Sequence, residues 1–406
     1  MTSATADVRP IRSLADAEGY VALICFKHGP PELLGVELEW TVHHRDRPDR
    51  PLDGAHLVRA LGPHAPATLT STVGTPLEQG SLVTVEPGGQ VELSSRPCSS
   101  LSSLIDSVDR DRAALDSLLA PTGLVRGTTG LDPFRPPRRL LDVPRYAAMQ
   151  AYFDRIGPHG SVMMCSTAST QVCLDAGTGA DLAARWRALH VAGPALVALF
   201  ANSPAAAGRR TGWASSRLRA TLGSCPPHTH PAPLDRDPTE AWVERAMTAP
   251  VLCVRRAGRR WDAPVAMSFA EWVRGAAGPP PTYDDLDYHL STLFPPVRPR
   301  GYLEVRYLDA QPDAVWHHPL VVLAALLSSP AATEQSLTAA EATSDRWLTA
   351  ARSGLGAGDL RESARRLLDV AATHVRTTGL AADISDPVLT ELDRRISTSA
   401  TREVPV

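Results

Sequence analysis

The sequence predicts an α+β protein in which helices flank an antiparallel β-sheet, and three observations predict it. Residues 35–42, 82–94 and 302–307 alternate apolar and polar side chains at the period of a half-buried strand. The middle segment consists of two such runs joined by Pro87-Gly88-Gly89, a hairpin and therefore antiparallel. Residues 99–119 and 181–202 carry apolar stripes at helical spacing, and from Pro319 to the end the pattern is helical and rich in Ala and Leu.

Residues 1–10 are polar and are expected to be loose, and residues 11–27 read as a helix ended by His28-Gly29-Pro30-Pro31. In the strand 35–42, Val36, Leu38, Trp40 and Val42 form an apolar floor, with Glu37 and Glu39 about 7 Å apart on the other face. Residues 43–54, charged and proline-containing, read as a loop. If the hairpin loop is residues 87–89, Glu86 lies opposite Gln90 and Thr84 opposite Glu92, all on one face. A slip of one residue would scatter them.

Ser99–Leu119 is a helix, 127–145 a Gly/Pro/Arg-rich connection, and 145–156 a short helix. Ser161–Asp175 reads as a strand, with Met163, Thr167, Ser169 and Gln171 on one face and Met164 on the other. Asp181–Asn202 reads as a helix kinked at Pro194, and a loop with Gly212 and Arg217 follows. Residues 223–238 should be irregular, 240–247 helical, and 251–255 with 263–267 a hairpin. The last strand puts Glu304 and Arg306 on one face, and the C-terminal helices break near 353–358 and 378–383.

Bulk properties narrow the function. The 406 residues, 43% of them hydrophobic, suffice for a sizeable core. A formal charge of -3 offers no basic footprint for nucleic acid. Lys27 is the only lysine, so no P-loop can exist. The six cysteines show no C-x-x-C spacing and are expected to be free thiols. Residues 1–19 do not read as a secretory signal, and the longest apolar run, near Pro319–Leu327, is too short for a bilayer. The expectation is a soluble, cytoplasmic protein without a membrane partner.

Three distant β-segments offer carboxylates: Glu37 and Glu39, Glu86 and Glu92, then Glu304 beside Arg306. If one sheet gathers them, their negative charge is tolerable only around cations. All-oxygen ligation points to Mg²⁺ or Mn²⁺ rather than zinc, and such ions usually serve a nucleotide's phosphates. Competing signals are weaker. Gly354–Gly358 follows no strand, so it is no dinucleotide fingerprint. His228 and His230 read as a surface turn. The pairs His43-His44 and His317-His318 read as structural or surface residues, and Cys165 and Cys173 as small core residues.

Four motifs occur in order: Gly-Val-Glu-x-Glu from Gly35, Glu-Pro-Gly-Gly-Gln-x-Glu-Leu-Ser from Glu86, Met-Met-x-x-Thr-Ala-Ser-x-Gln-Val from Met163, and Leu-Phe-Pro-x-Val-Arg-x-x-Gly-Tyr-Leu-Glu-x-Arg from Leu293. The set resembles the glutamate–cysteine ligase family in its plant-like and actinobacterial branch, most of all the actinobacterial enzymes that supply γ-glutamylcysteine for ergothioneine synthesis. The resemblance implies a single catalytic domain over 1–406 and a glutamine-synthetase-like carboxylate–amine ligase fold, an antiparallel sheet curved into a funnel. It implies ATP as co-substrate with L-glutamate and L-cysteine, and a γ-glutamyl phosphate intermediate.

By the same resemblance, Glu37, Glu39, Glu86, Glu92 and Glu304 match metal-ligand positions, with Gln171 beside the metals. Arg306, with Glu304, would serve the transferring phosphoryl group, and Arg217 in Gly-x-x-Ser-x-Arg would pair with the glutamate α-carboxylate. Thr167, Ser169 and Arg298 are further substrate contacts, and Met163, Met164 and Tyr288 the cysteine pocket. After Arg217 the family continues with a tryptophan and an Asp-x-x-Arg segment, where this chain has Leu-Arg-Ala-Thr-Leu-Gly-Ser-Cys-Pro-Pro-His-Thr-His. That departure leaves open a different amine acceptor, or a relative that binds metal and nucleotide without turnover.

Overall fold

The structure, a computed structural model, describes residues 8–27, 29–256 and 260–400. Residues 1–7 of the expected loose terminus, and His28 of the first helix stop, lie outside them; Pro10 already bridges Thr282. The first elements are helix α1 (Leu14–Cys25), strand β1 (Leu34–Trp40), strand β2 (Val42–His44) and α2 (Gly54–Leu61). The hairpin β3 (Leu82–Val85) and β4 (Val91–Ser94) precedes α3 (Leu101–Leu119), β5 (Leu124–Arg126), α4 (Pro144–Asp154), α5 (His159–Ser166) and β6 (Ser169–Leu174). Then come α6 (Gly179–Val191), α7 (Gly193–Phe200), the short β7 (Ala205–Ala206) and β8 (Arg209–Arg210), and α8 (Ser216–Ser224). Next are α9 (Pro226–Thr229), α10 (Pro238–Thr248), α11 (Phe269–Val273), α12 (Tyr283–Leu290), β9 (Val297–Pro299) and β10 (Leu303–Asp309). The C-terminal helices are α13 (His318–Leu326), α14 (Pro330–Ala340), α15 (Trp347–Ser353), α16 (Gly358–His374) and α17 (Ala382–Ala400).

Six strands form one antiparallel sheet in the order β3-β4-β1-β6-β10-β9, so segments far apart in sequence become neighbours. Its registers align the polar faces: Glu37 lies opposite Gln171 and Ser94, Glu39 opposite Glu92, Thr84 opposite Glu92, and Glu304 opposite Cys173 and Arg298. The other face is a dry floor of Val36, Leu38, Val85, Val91, Val172 and Val305, each buried. Helix α3 lies against β1, α13 against β6 and α7 against β10, so the helices cover this apolar face. The hairpin register is the expected one: the Glu86 N–H donates to Gln90 O at 2.8 Å, and Gly89 turns the loop at φ +91°.

Several expectations are corrected. The strand over 161–175 begins only at Ser169; its first half is α5, so Met163 and Met164 stand on a helix. A short apolar run reads equally well either way. Gly160 lets α5 close on α4, because a Cβ there would lie 2.3 Å from Phe153 Cβ. Residues 43 and 44, expected to be loop, join Val42 in β2, which pairs with β5. The 181–202 helix breaks completely at Ala192, where Pro194 occupies the first turn of α7. Arg217 sits on α8 rather than in a loop. The expected 251–267 hairpin is reduced to isolated bridges Cys253–Asp262 and Pro250–Ser268. His228 is fully buried rather than at the surface, its ring nitrogens each 2.8 Å from the carbonyls of Thr292 and Pro250. His43, His44 and His318 are buried too. The six cysteines are free, and among the described residues no single helix is long and apolar enough to cross a membrane.

Candidate active site

A cavity of about 830 Å³ opens on the polar face of the sheet. Glu37 and Glu39 reach it from β1, Glu86 and Glu92 from the hairpin, Ser169 and Gln171 from β6, and Arg306 from β10. Met163, Met164 and Thr167 close one wall from the end of α5, and Arg217 with Leu218 and Thr221 another from α8. The hairpin tip is tied to that first wall by Gln90, whose Nε2 donates to Thr167 O at 3.0 Å while its Oε1 accepts from Gly88 N at 2.9 Å.

The carboxylates differ in their partners. Glu39 accepts from Ser169 Oγ at 2.7 Å and Gln171 Nε2 at 2.8 Å. Glu92 accepts from Thr84 Oγ1 at 2.7 Å and Ser94 Oγ at 3.2 Å. Glu37 and Glu86 have no side-chain hydrogen bond or ion pair among the described residues. Burial, then the charge of Glu304, pushes Glu37 up to about 7. Burial, then Glu39, raises Glu86 to about 7, and burial with Glu37, Glu86 and Glu39 lifts Glu92 well above the usual carboxylate range. Such upward shifts mark a buried pocket in which negative charges repel one another. The all-oxygen donors fit a hard divalent cation, whose charge would draw these carboxyls back down.

Glu304 is different. It is fully buried and does not line the cavity. Arg298 grips it through Nε at 2.6 Å and Nη2 at 3.2 Å, Arg306 Nη1 lies 2.9 Å away, and Arg300 Nη1 3.4 Å. Burial works against its charge, but Arg298 and Arg306 outweigh burial and hold the carboxyl far below its usual range. The third nitrogen of Arg298, Nη1, donates to Leu293 O at 3.1 Å, so the whole guanidinium is engaged in holding the Glu304 strand. Arg306 also donates to Gln171 Oε1 and thereby links Glu304 to the Gln171–Glu39 pair. Cys173 Sγ shares a 4.8 Å neighbourhood with carboxylate oxygens of Glu37 and Glu304. Burial, then those two charges, holds its thiol well above the ordinary value, so it is a neutral neighbour.

Arg217 is buried, and its Nη2 donates to Arg306 O at 2.7 Å while Nε and Nη1 have no hydrogen-bond partner. Its nearest carboxylate, Asp309, has Oδ1 3.8 Å from Nη1, and a guanidinium at a cavity wall is suited to a carboxylate ligand. Met163 Sδ accepts from Ser224 Oγ at 3.3 Å. Tyr288 stands outside the cavity, its ring between the guanidinium carbons of Arg145 and Arg255, each 4.8 Å from its centroid. Arg145 itself lines the cavity, as do Tyr146, Arg300 and Phe294, and sequence reasoning missed all four. One signal was available for Arg145, which follows Pro144 at the start of α4. A cation at the positive end of a helix is unfavourable unless something else requires it.

The family model of glutamate–cysteine ligase family 2 matches residues 33–403. The chain is 38% identical over 394 residues to the glutamate–cysteine ligase EgtA of Mycobacterium tuberculosis (strain CDC 1551 / Oshkosh), covering 93% of this chain and 87% of that one. It is 38% identical over 373 residues to the EgtA of Mycolicibacterium smegmatis, covering 89% and 84%. Among solved structures it resembles a bifunctional glutathione synthetase from Pasteurella multocida, with a TM-score of 0.53, 13% identity, and coverage of 96% of this chain and 50% of that chain. That likeness is one of fold, the mixed helix and antiparallel-sheet ligase fold expected from the motifs.

Proposed function

The chain belongs to glutamate–cysteine ligase family 2, and on that premise we propose that its cavity joins the γ-carboxylate of L-glutamate to the amine of L-cysteine with consumption of ATP. The observation that carries the reading is the meeting of Glu37, Glu39, Glu86 and Glu92 on one cavity wall, with Arg306 and Arg217 beside them. The product, γ-glutamylcysteine, serves ergothioneine biosynthesis in this reading.

The chemistry needs an activated acyl group, because a carboxylate oxygen is a poor leaving group. The glutamate γ-carboxylate attacks the γ-phosphorus of ATP and ADP departs; the cysteine amine then attacks the acyl carbon and phosphate leaves. A divalent cation, Mg²⁺ with Mn²⁺ able to replace it, supplies positive charge against the phosphate oxygens. Glu37, Glu39, Glu86 and Glu92 would hold it, with Gln171 and Glu304 at the margin of the set. Arg306 keeps its charge at every pH of interest, and it carries that charge from Glu304 to the transferring phosphoryl group. Arg217, whose side chain lines the cavity, pairs its guanidinium with the glutamate α-carboxylate. Thr167 also lines the cavity, and Ser169 orients Glu39. Met163 and Met164 offer the cysteine thiol a polarisable apolar wall. Arg298 acts through Glu304 and Tyr288 through Arg145, neither touching substrate directly.

The test is ADP release by the purified chain, with the product identified by mass. Release that requires glutamate, cysteine and the divalent cation together, with γ-glutamylcysteine formed, is expected. Release independent of glutamate and cysteine would overturn the reading. A panel of other amines in place of cysteine tests whether the divergent 218–230 segment has changed the acceptor.

A further inference from the structure

On β10, strict alternation from Glu304 and Arg306 would send Asp309 to the apolar face. The pairing with β6 prevents this. Val305 lies opposite Val172, yet Leu308 lies opposite Thr170 and Asp309 opposite Ser169, so one extra residue is taken up between Val305 and Leu308. A bulge of this kind re-aims the side chains that follow it. Here it brings Asp309 to the face that carries Ser169 and Glu39, where it is 2% exposed directly behind Arg217.

The Asp309 carboxylate is held from three sides. Its Oδ2 accepts from Asn202 N at 2.8 Å and Ser203 Oγ at 2.7 Å, and its Oδ1 from Ser215 Oγ at 2.8 Å. Each of these hydroxyls accepts in turn from the first turn of α8: Arg217 N to Ser203 Oγ at 3.1 Å, and Leu218 N to Ser215 Oγ at 3.1 Å. Asp309 Oδ1 lies 3.8 Å from Arg217 Nη1. Gly130 seals the remaining side, since a Cβ there would lie 2.7 Å from Asp309 Cβ. An ionised carboxylate accepts only, so it fixes the direction of both hydroxyls, and each can then receive a backbone N–H.

We propose that Asp309 is a positioning residue for the ligase reaction: through Ser203 and Ser215 it sets the helix turn that bears Arg217, and by its charge near Nη1 it holds the guanidinium at the cavity wall for the glutamate α-carboxylate. The proposal rests on the reading of Arg217 given above. Asp309 touches no substrate in this account. Its effect is therefore confined to the one substrate that Arg217 grips.

The experiment compares Asp309→Asn, Arg217→Lys and the double variant with the unaltered full chain, measuring Tm and the KM of glutamate, ATP and cysteine separately. Arg217→Lys raises the KM for glutamate about tenfold or more, and Asp309→Asn does so by a comparable factor, since each removes part of one buried charged contact. The ATP KM stays within about twofold in both, and the double variant is scarcely worse than either single one, because both act on one contact. A merely structural role would move kcat or all three KM values together with Tm. If Asp309→Asn does not fold, Ser203→Ala with Ser215→Ala removes two of the same bonds and must show the same split. Arg217→Lys effective with Asp309→Asn, or the serine pair, silent on glutamate overturns the positioning role. Arg217→Lys itself silent on glutamate overturns the parent reading instead.

Discussion

Glu39 and Glu92 stand directly opposite each other in the pairing of β1 with β4, two carboxylates on the same face of adjacent strands. Like charges so placed destabilise a sheet, and both line the cavity. Function and stability therefore pull apart at this pair. Glu92→Gln keeps an oxygen for Thr84 and Ser94 while removing one charge. The cation-free protein should gain about 1 °C in Tm, as about 1 kcal/mol of relieved repulsion would give for a chain of this size. Turnover should fall by about a hundredfold or more if Glu92 helps to hold the cation. Calorimetry and ADP release on the same preparation check both halves.

Cation binding should stabilise the protein more at higher pH. Glu37 and Glu86 are raised in the folded chain, first by burial, to about 7. A carboxyl whose folded value lies above its unfolded one contributes stability that is full below its unfolded value, near pH 4.5, and is lost as pH rises through about 7. The cation needs the charged forms, so its binding offsets that loss. The gain in Tm on adding saturating Mg²⁺ should be larger at about pH 8 than at about pH 5.5, and replacing both residues by Gln should flatten the difference. Equal gains at both pH values would count against these two residues as ligands.

How much of this site could be read in the sequence follows from what strands reveal. Alternation at Glu37/Glu39 and Glu86/Glu92 predicts which side chains share a face, and a Pro-Gly-Gly loop predicts the register, so the acid wall was legible before any fold. Strand order was not. Nothing local says that β6 lies between β1 and β10, so the link from Glu39 through Gln171 to Arg306 was invisible. Burial was also hidden: Glu304 looks like another cavity acid by alternation, and only packing shows it surrounded by Arg298, Arg300 and Arg306. The bulge that turns Asp309 toward Arg217 breaks the very periodicity on which such readings depend.

The hairpin tip should tolerate no side chain at position 88. A Cβ on Gly88 would lie 2.0 Å from the Cys165 carbonyl oxygen, a backbone atom that cannot swing away. Gly88→Ala must therefore lift the tip off α5, breaking the Gln90–Thr167 tie and displacing Glu86. Activity should fall by more than about tenfold with the far-ultraviolet circular dichroism unchanged. An active Gly88→Ala protein would show that the tip's seat on α5 is not required.

Neutralising Glu304 should have the opposite sign on stability from neutralising Glu92. Glu92 lies among like charges, and removing its charge relieves them. Glu304 is the shared counter-ion of Arg298, Arg300 and Arg306, so Glu304→Gln leaves three guanidinium groups facing one another in a buried place. Breaking a buried pair from one side costs about 3–5 kcal/mol, and the released Arg306 would no longer be held between Glu304 and Gln171. Turnover should vanish, and denaturant melts should show the loss of stability in the absence of any cation. Ionic strength separates this effect from a lost metal ligand. High salt screens the exposed part of the arginine repulsion and should recover some of the Tm of Glu304→Gln, while leaving the Tm of Glu92→Gln nearly unmoved. If Glu304→Gln keeps its Tm and loses only its cation response, then Glu304 is a ligand first and the arginine cluster is held by something else.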